Sequence, residues 1–182
     1  YANVYRPDRL FLPQQKLAEF AKTVPTPFYL YHEEGIRKSA QLICGSFRWA
    51  PEHLALFPIS ANSCPQVLRI FREAGFGALA RSVQELALAR SCGFSEIAFH
   101  TAAMTPEAVR AVKDAPCTVI FDSPAQIEAM EGRFPARCAL RYHPEKEPGR
   151  SAAAVLRHKS GMDRAQILDA VRILSAAGVE EI

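Results

Sequence analysis

"FPISANSCPQVLRIFREAGFGALARSVQELALARSCGF" (residues 57–94) reads as two successive strand–helix units. Leu54, Leu56 and Pro58 alternate with Ala55, Phe57 and Ile59, so the first strand is a short apolar run over Leu54–Ile59. It ends in small polar residues, Ser60, Asn62 and Ser63, and Pro65 then opens a helix. Gly75 closes that helix, Gly77–Ala80 forms the next strand, and Ser82-Val-Gln-Glu85 is the capping box of the next helix.

The same unit repeats along the chain. Further apolar runs fall at Ile97–His100, Cys117–Phe121 and Ala139–Tyr142, about every 20 residues, with an amphipathic segment between neighbours. Thr105-Pro106, Ser123-Pro-Ala-Gln126 and Asp163-Arg-Ala-Gln166 mark helix starts, and Gly93 and Gly178 mark helix ends. Alternating strands and helices require a parallel sheet covered by helices, because a parallel return needs a crossover. The short, even repeats favour a β/α barrel over a doubly wound sheet. A complete eight-stranded barrel takes about 250 residues, whereas this chain has 182 and supplies about five strands. Val179–Ile182 stands where a sixth strand would begin. The sequence is therefore expected to be part of a longer protein, or a half-barrel that pairs with another chain to cover its open edge.

The segment before residue 54 differs. Pro13 opens a helix with Leu17, Phe20, Ala21 and Val24 on one face, and Thr26–Tyr31 reads as an isolated strand rich in β-formers.

Composition narrows the function classes. Twenty-two basic and 19 acidic side chains leave a net charge of +3, with no run of Lys and Arg. Neither nucleic acid nor an anionic membrane is implied. No stretch approaches the roughly 20 apolar residues of a bilayer span. Five cysteines, Cys44, Cys64, Cys92, Cys117 and Cys138, form no CxxC pair and no cluster with metal-ligand spacing. Reduced thiols and a cytoplasmic location follow as expectations, with Cys117 and Cys138 in the core.

The order of motifs resembles that of diaminopimelate decarboxylases, pyridoxal-phosphate (PLP) enzymes with an alanine-racemase-like barrel. "TPFYLYHEEGIRKSA" (26–40) resembles their opening segment, and residues 57–94 their first two barrel strands. "CALRYHP" (138–144) resembles their fifth strand and "HKSGMDRAQI" (158–167) the segment before the next helix. The resemblance implies residues 1–32 associated with a separate β-domain and residues 33–182 as a partial α/β barrel. It also implies PLP as cofactor, amino-acid decarboxylation in lysine biosynthesis, and an active site completed at a dimer interface by a C-terminal part.

Two expected positions are altered. The family strand carries a lysine that forms the Schiff base with PLP; Ser60 occupies that position here, and a hydroxyl cannot form an imine. The acidic residue of the second strand corresponds to Leu79. The basic residue of the fifth strand is kept as Arg141, an anion-binding group or half of a buried ion pair. His100 and Asn62 join Arg141 as candidate pocket residues, and no residue is assigned as catalytic or metal-binding. The expectation is a decarboxylase-like barrel segment that is inactive, a pseudoenzyme with PLP bound non-covalently or not at all. The alternatives are the N-terminal part of an active decarboxylase, with Lys159 or Lys113 as substitute amine, or another activity at Ser60, Cys64 or His100. Expected partners are a second copy or the C-terminal remainder, and a small amino-acid-like ligand.

Other matches have simpler explanations. Glu147-Pro-Gly-Arg150 spells a cofactor-contacting motif of the family, but it follows the fifth strand directly and reads as a Pro-Gly turn. Glu85 is the return half of its capping box, Ser63 or Cys64 is an N-cap, and Asn62 bonds backbone where the strand turns. His143 reads as a solvated loop residue.

Overall fold

The structure, a computed structural model, describes residues 12–47, 49–50, 52–113, 115–143 and 160–182. Two helices, α1 (Gln14–Thr23) and α2 (Glu33–Ser46), precede five strand–helix repeats. The strands are β1 (Leu56–Pro58), β2 (Gly77–Ala80), β3 (Ile97–Phe99), β4 (Thr118–Phe121) and β5 (Cys138–Leu140). Between them lie α3 (Pro65–Glu73), α4 (Val83–Ser91), α5 (Pro106–Lys113) and α6 (Pro124–Ala129), and α7 (Arg164–Ala176) follows β5.

All pairings are parallel and the sheet order is the chain order, β1-β2-β3-β4-β5. A doubly wound sheet reverses direction at a switch point. This one does not, so same-handed crossovers put its helices on one face, as in a barrel. Residues alternate accordingly. Ile59, Ala78, Ala80, Ile97, Phe99, Val119, Phe121 and Cys138 belong to the buried core shared with the helices. The opposite face carries the register row Pro58, Leu79, Ala98 and Thr118. Leu79 and Thr118 are only half-buried there. After α7 the chain re-enters the sheet beside β5, where Glu181 pairs in parallel with Arg137 and accepts the Cys138 N–H. That is the place of a sixth strand, as the sequence implies.

Local chemistry sets the boundaries. Pro58 has no N–H for a ladder, so β1 stops there and Ile59–Ala61 form a single 3-10 turn, shorter than the Leu54–Ile59 strand expected. Gly77 has no room for a side chain, since a Cβ would lie 2.7 Å from Leu56 Cδ2 and 2.8 Å from the Glu96 carbonyl. Asp163 and Gln166 form the full capping box of α7. Ser82 accepts the Glu85 N–H, while the Glu85 carboxylate takes the N–H of Arg81, one residue before the cap.

Thr26–Tyr31 is not a strand: the segment has no ladder partner, and Tyr29 is 90% exposed. Aromatic β-propensity describes packing on a half-buried sheet, and without a sheet beside it the preference produces nothing.

Cys92, Cys117 and Cys138 are buried, whereas Cys44 and Cys64 are partly exposed. Burial, reinforced by the nearby Cys117, pushes the Cys138 thiol up to about 11 from an ordinary 9.0, and burial raises Cys117 as well. The folded state therefore favours neutral thiols. The stability they contribute is complete below about pH 9 and is lost as pH rises towards 11. In a thiol titration at pH 8, only Cys44 and Cys64 should react before unfolding; equal reactivity of all five would contradict this packing.

Candidate functional site at the strand ends

Parallel strands in chain order deliver all their C-terminal ends to one edge, where barrel sites form. Ser60, His100, Asp122 and Arg141 stand at or just beyond the ends of β1, β3, β4 and β5. His100 follows β3 and donates from Nε2 to Asp122 Oδ2 at 3.1 Å, with side chains only 14% and 11% exposed. A buried carboxylate needs such partners. Sequence reading missed Asp122, which sits between Phe121 and the expected cap at Ser123 and looks like a boundary residue.

Gln126 closes the same edge. The Ser123–Gln126 capping box does not form, since Ser123 makes no side-chain cap bond. Gln126 is buried instead. Its Oε1 accepts the Asp122 N–H at 2.9 Å, and its Nε2 donates to the Thr101 carbonyl at 2.8 Å. Gln126 and the His100–Asp122 bond thus tie the ends of β3 and β4 together twice. The segment 160–162 joins the ends of β4 and β5: Gly161 N–H donates to the Asp122 carbonyl and Met162 N–H to that of Arg141. His143 N–H donates to the Met162 carbonyl, so His143 is a half-buried anchored residue, not a solvated loop histidine.

Arg141 is exposed, and it forms no ion pair among the described residues, which removes the buried-ion-pair reading. Asn62 bonds backbone as expected: its Oδ1 accepts the Cys64 N–H at 2.9 Å, and its Nδ2 donates to the Tyr31 hydroxyl at 3.2 Å. Cys64 occupies the N-cap of α3 but makes no cap bond; its thiol meets Gln66 Oε1. Described cavities of about 590 and 470 Å³ lie along α1 and α2, sharing Leu30, Tyr31 and His32, and the second reaches Phe57 and Asn62.

Ser60 is exposed on the turn after β1, in the position the resemblance assigns to the lysine, and a serine forms no imine. Leu79 is an aliphatic residue of β2 on the sheet face away from the core. Lys113, offered as a substitute amine, is the last residue of α5, at the end feeding into β4 and so opposite the mouth. The other described lysines are Lys16 and Lys22 on α1 and Lys38 on α2, paired with Glu34. Lys146, Lys159 and Glu147–Arg150 lie outside the described residues. Among the described residues Ser60 and His100 are not hydrogen-bonded to each other; the His100 side chain bonds Asp122. Among the described residues, no group of three or more His, Cys, Asp or Glu could hold a metal, and no helix is long and apolar enough to cross a membrane.

Gln126→Leu should lower stability by about 1–3 kcal/mol in urea unfolding, because it strands the Asp122 N–H and the Thr101 carbonyl. An unchanged midpoint would show that the double tie contributes nothing.

Comparison with known proteins gives a consistent picture. No family model matches the chain. It is 30% identical over 176 residues, 90% of its length, to the L-glutamyl-[BtrI acyl-carrier protein] decarboxylase of Niallia circulans, of which it covers 41%. It is 26% identical over 152 residues to the diaminopimelate decarboxylase of Aquifex aeolicus, covering 79% of this chain and 36% of that protein. The chain thus spans about two fifths of the length of these curated relatives. In fold it matches a Helicobacter pylori diaminopimelate decarboxylase mutant complexed with L-lysine (TM-score 0.74, 20% identity, 91% of this chain and 45% of that one). It also matches the lysine decarboxylase of Selenomonas ruminantium (TM-score 0.71, 20% identity, 93% and 44%).

Proposed function

We propose that this chain, which is diaminopimelate decarboxylase-like in sequence and fold over most of its length, is a barrel segment that does not perform Schiff-base catalysis. Its role is to hold a small amino-acid-like molecule non-covalently at the strand ends. The observation that carries this reading is the joint state of two positions: Ser60 after β1 and Leu79 on β2. A serine leaves no amine to condense with an aldehyde, and a leucine leaves no carboxylate to hold or move a proton there. PLP has no covalent anchor among the described residues.

The remaining polar groups suit binding. Arg141 offers an exposed guanidinium for a carboxylate, and guanidinium–carboxylate contacts can be bidentate. Asn62 fixes the turn after β1 and links that turn to Tyr31. In this reading residues 1–32 pair with a separate β-domain, a second copy or the remainder of the protein covers the open sheet edge, and the protein works in the cytoplasm.

A second reading keeps the decarboxylase active, with the amine supplied by Lys146 or Lys159. The extended match to a curated decarboxylase favours it.

Absorption spectroscopy with added PLP separates the two. The first reading expects no imine band from the wild-type chain, whereas Ser60→Lys supplies the amine in the family position. A wild-type band abolished by Lys146→Ala or Lys159→Ala would overturn it in favour of the second.

A further inference from the structure

The His100–Asp122 pair exceeds what a strand-end clip requires. Gln126 already joins β3 to β4 through two backbone groups, and Gly161 occupies the Asp122 carbonyl. The carboxylate is therefore left to the imidazole. An ionised carboxylate only accepts hydrogen bonds, so the 3.1 Å contact puts the His100 proton on Nε2. An imidazole of that tautomer carries its lone pair on Nδ1, and no hydrogen bond of the His100 Nδ1 is recorded among the described residues. A third-group carboxylate that fixes a tautomer in this way makes the far nitrogen a directed acceptor.

Charge adds a second constraint. Asp122 places a carboxylate at the mouth, 9% exposed, with the His100 imidazole as its side-chain partner. Arg141 leads out from the neighbouring strand end, yet forms no ion pair with Asp122 among the described residues. Lone pair and charge together call for a cation that donates hydrogen bonds. A primary ammonium meets both needs, with three donors on a compact positive group.

We propose that His100, oriented by Asp122, is the ammonium-recognising group of the mouth: Nδ1 accepts an N–H of the ligand and the Asp122 carboxylate supplies the matching charge. The ligand class is a primary amine, the amino end of the amino-acid-like molecule, with Arg141 left for its carboxylate. This deepens the binding reading given under Proposed function and rests on it.

The test uses the full chain, ¹⁵N-labelled, with imidazole ¹H–¹⁵N correlations and three probes of similar length. Cadaverine carries amines only, glutarate carboxylates only, and L-lysine both. The expected result is an Nε2–H tautomer for His100, with saturable shifts of its Nδ1 on adding cadaverine or L-lysine and none with glutarate. Asp122→Asn should weaken the cadaverine response at least tenfold. Should Asp122→Asn fail to fold, His100→Gln should weaken L-lysine binding at least tenfold and leave glutarate binding unchanged, both read on the Arg141 Nε resonance. An Nδ1–H tautomer, or a silent His100, overturns the proposal. L-lysine and glutarate shifting Arg141 while His100 stays silent would sink this inference and leave the binding reading standing. If no probe shifts either residue, both fail.

Discussion

Parallel pairing in strict chain order is the constraint from which the rest of the structure follows. Each strand must be followed by a crossover of the same hand, so the helices lie on one face and every strand points the same way. One face of each strand can then be wholly apolar, as Phe99, Val119 and Phe121 are. The other face and the C-terminal edge are released from packing. Polar residues collect there because it is the one edge where they need not interrupt the core. The same geometry sorts the lysines: a residue at the C-terminal end of a crossover helix, such as Lys113, always lies at the far end of the sheet.

Holding that edge together is a separate physical problem. Strand ends carry backbone groups that the ladder no longer satisfies, and leaving them buried and unpaired costs free energy. Gln126 meets part of the need for β3 and β4 at once, and Gly161 and Met162 do the same for β4 and β5. Among the described residues, every buried side-chain nitrogen and oxygen has a partner. These satisfied strand ends stand on the same edge as Ser60, with Leu79 on β2 behind them.

Much of the fold was legible because hydrophobic period and helix punctuation agree. Gly77–Ala80 matches β2 residue for residue, and Asp163–Gln166 caps α7 as its spacing requires. The rest was hidden for physical reasons. Ser123-Pro-Ala-Gln126 has the letters of a capping box, but tertiary context gave Gln126 a better pair of partners across two strands. Asp122 was invisible for the same reason, since a residue beside an apparent cap reads as punctuation. Thr26–Tyr31 carries strand propensity with no ladder partner among the described residues. Arg141 could be read as half of a buried ion pair until its exposure removed that reading.

The central claim is that this chain presents no lysine able to anchor PLP, so reductive trapping tests it most directly. The full chain is incubated with PLP, treated with borohydride and mapped by peptide mass spectrometry. The account predicts only scattered, substoichiometric pyridoxyl labelling of surface lysines. One lysine labelled close to stoichiometrically, and protected by an amino-acid ligand, would contradict it.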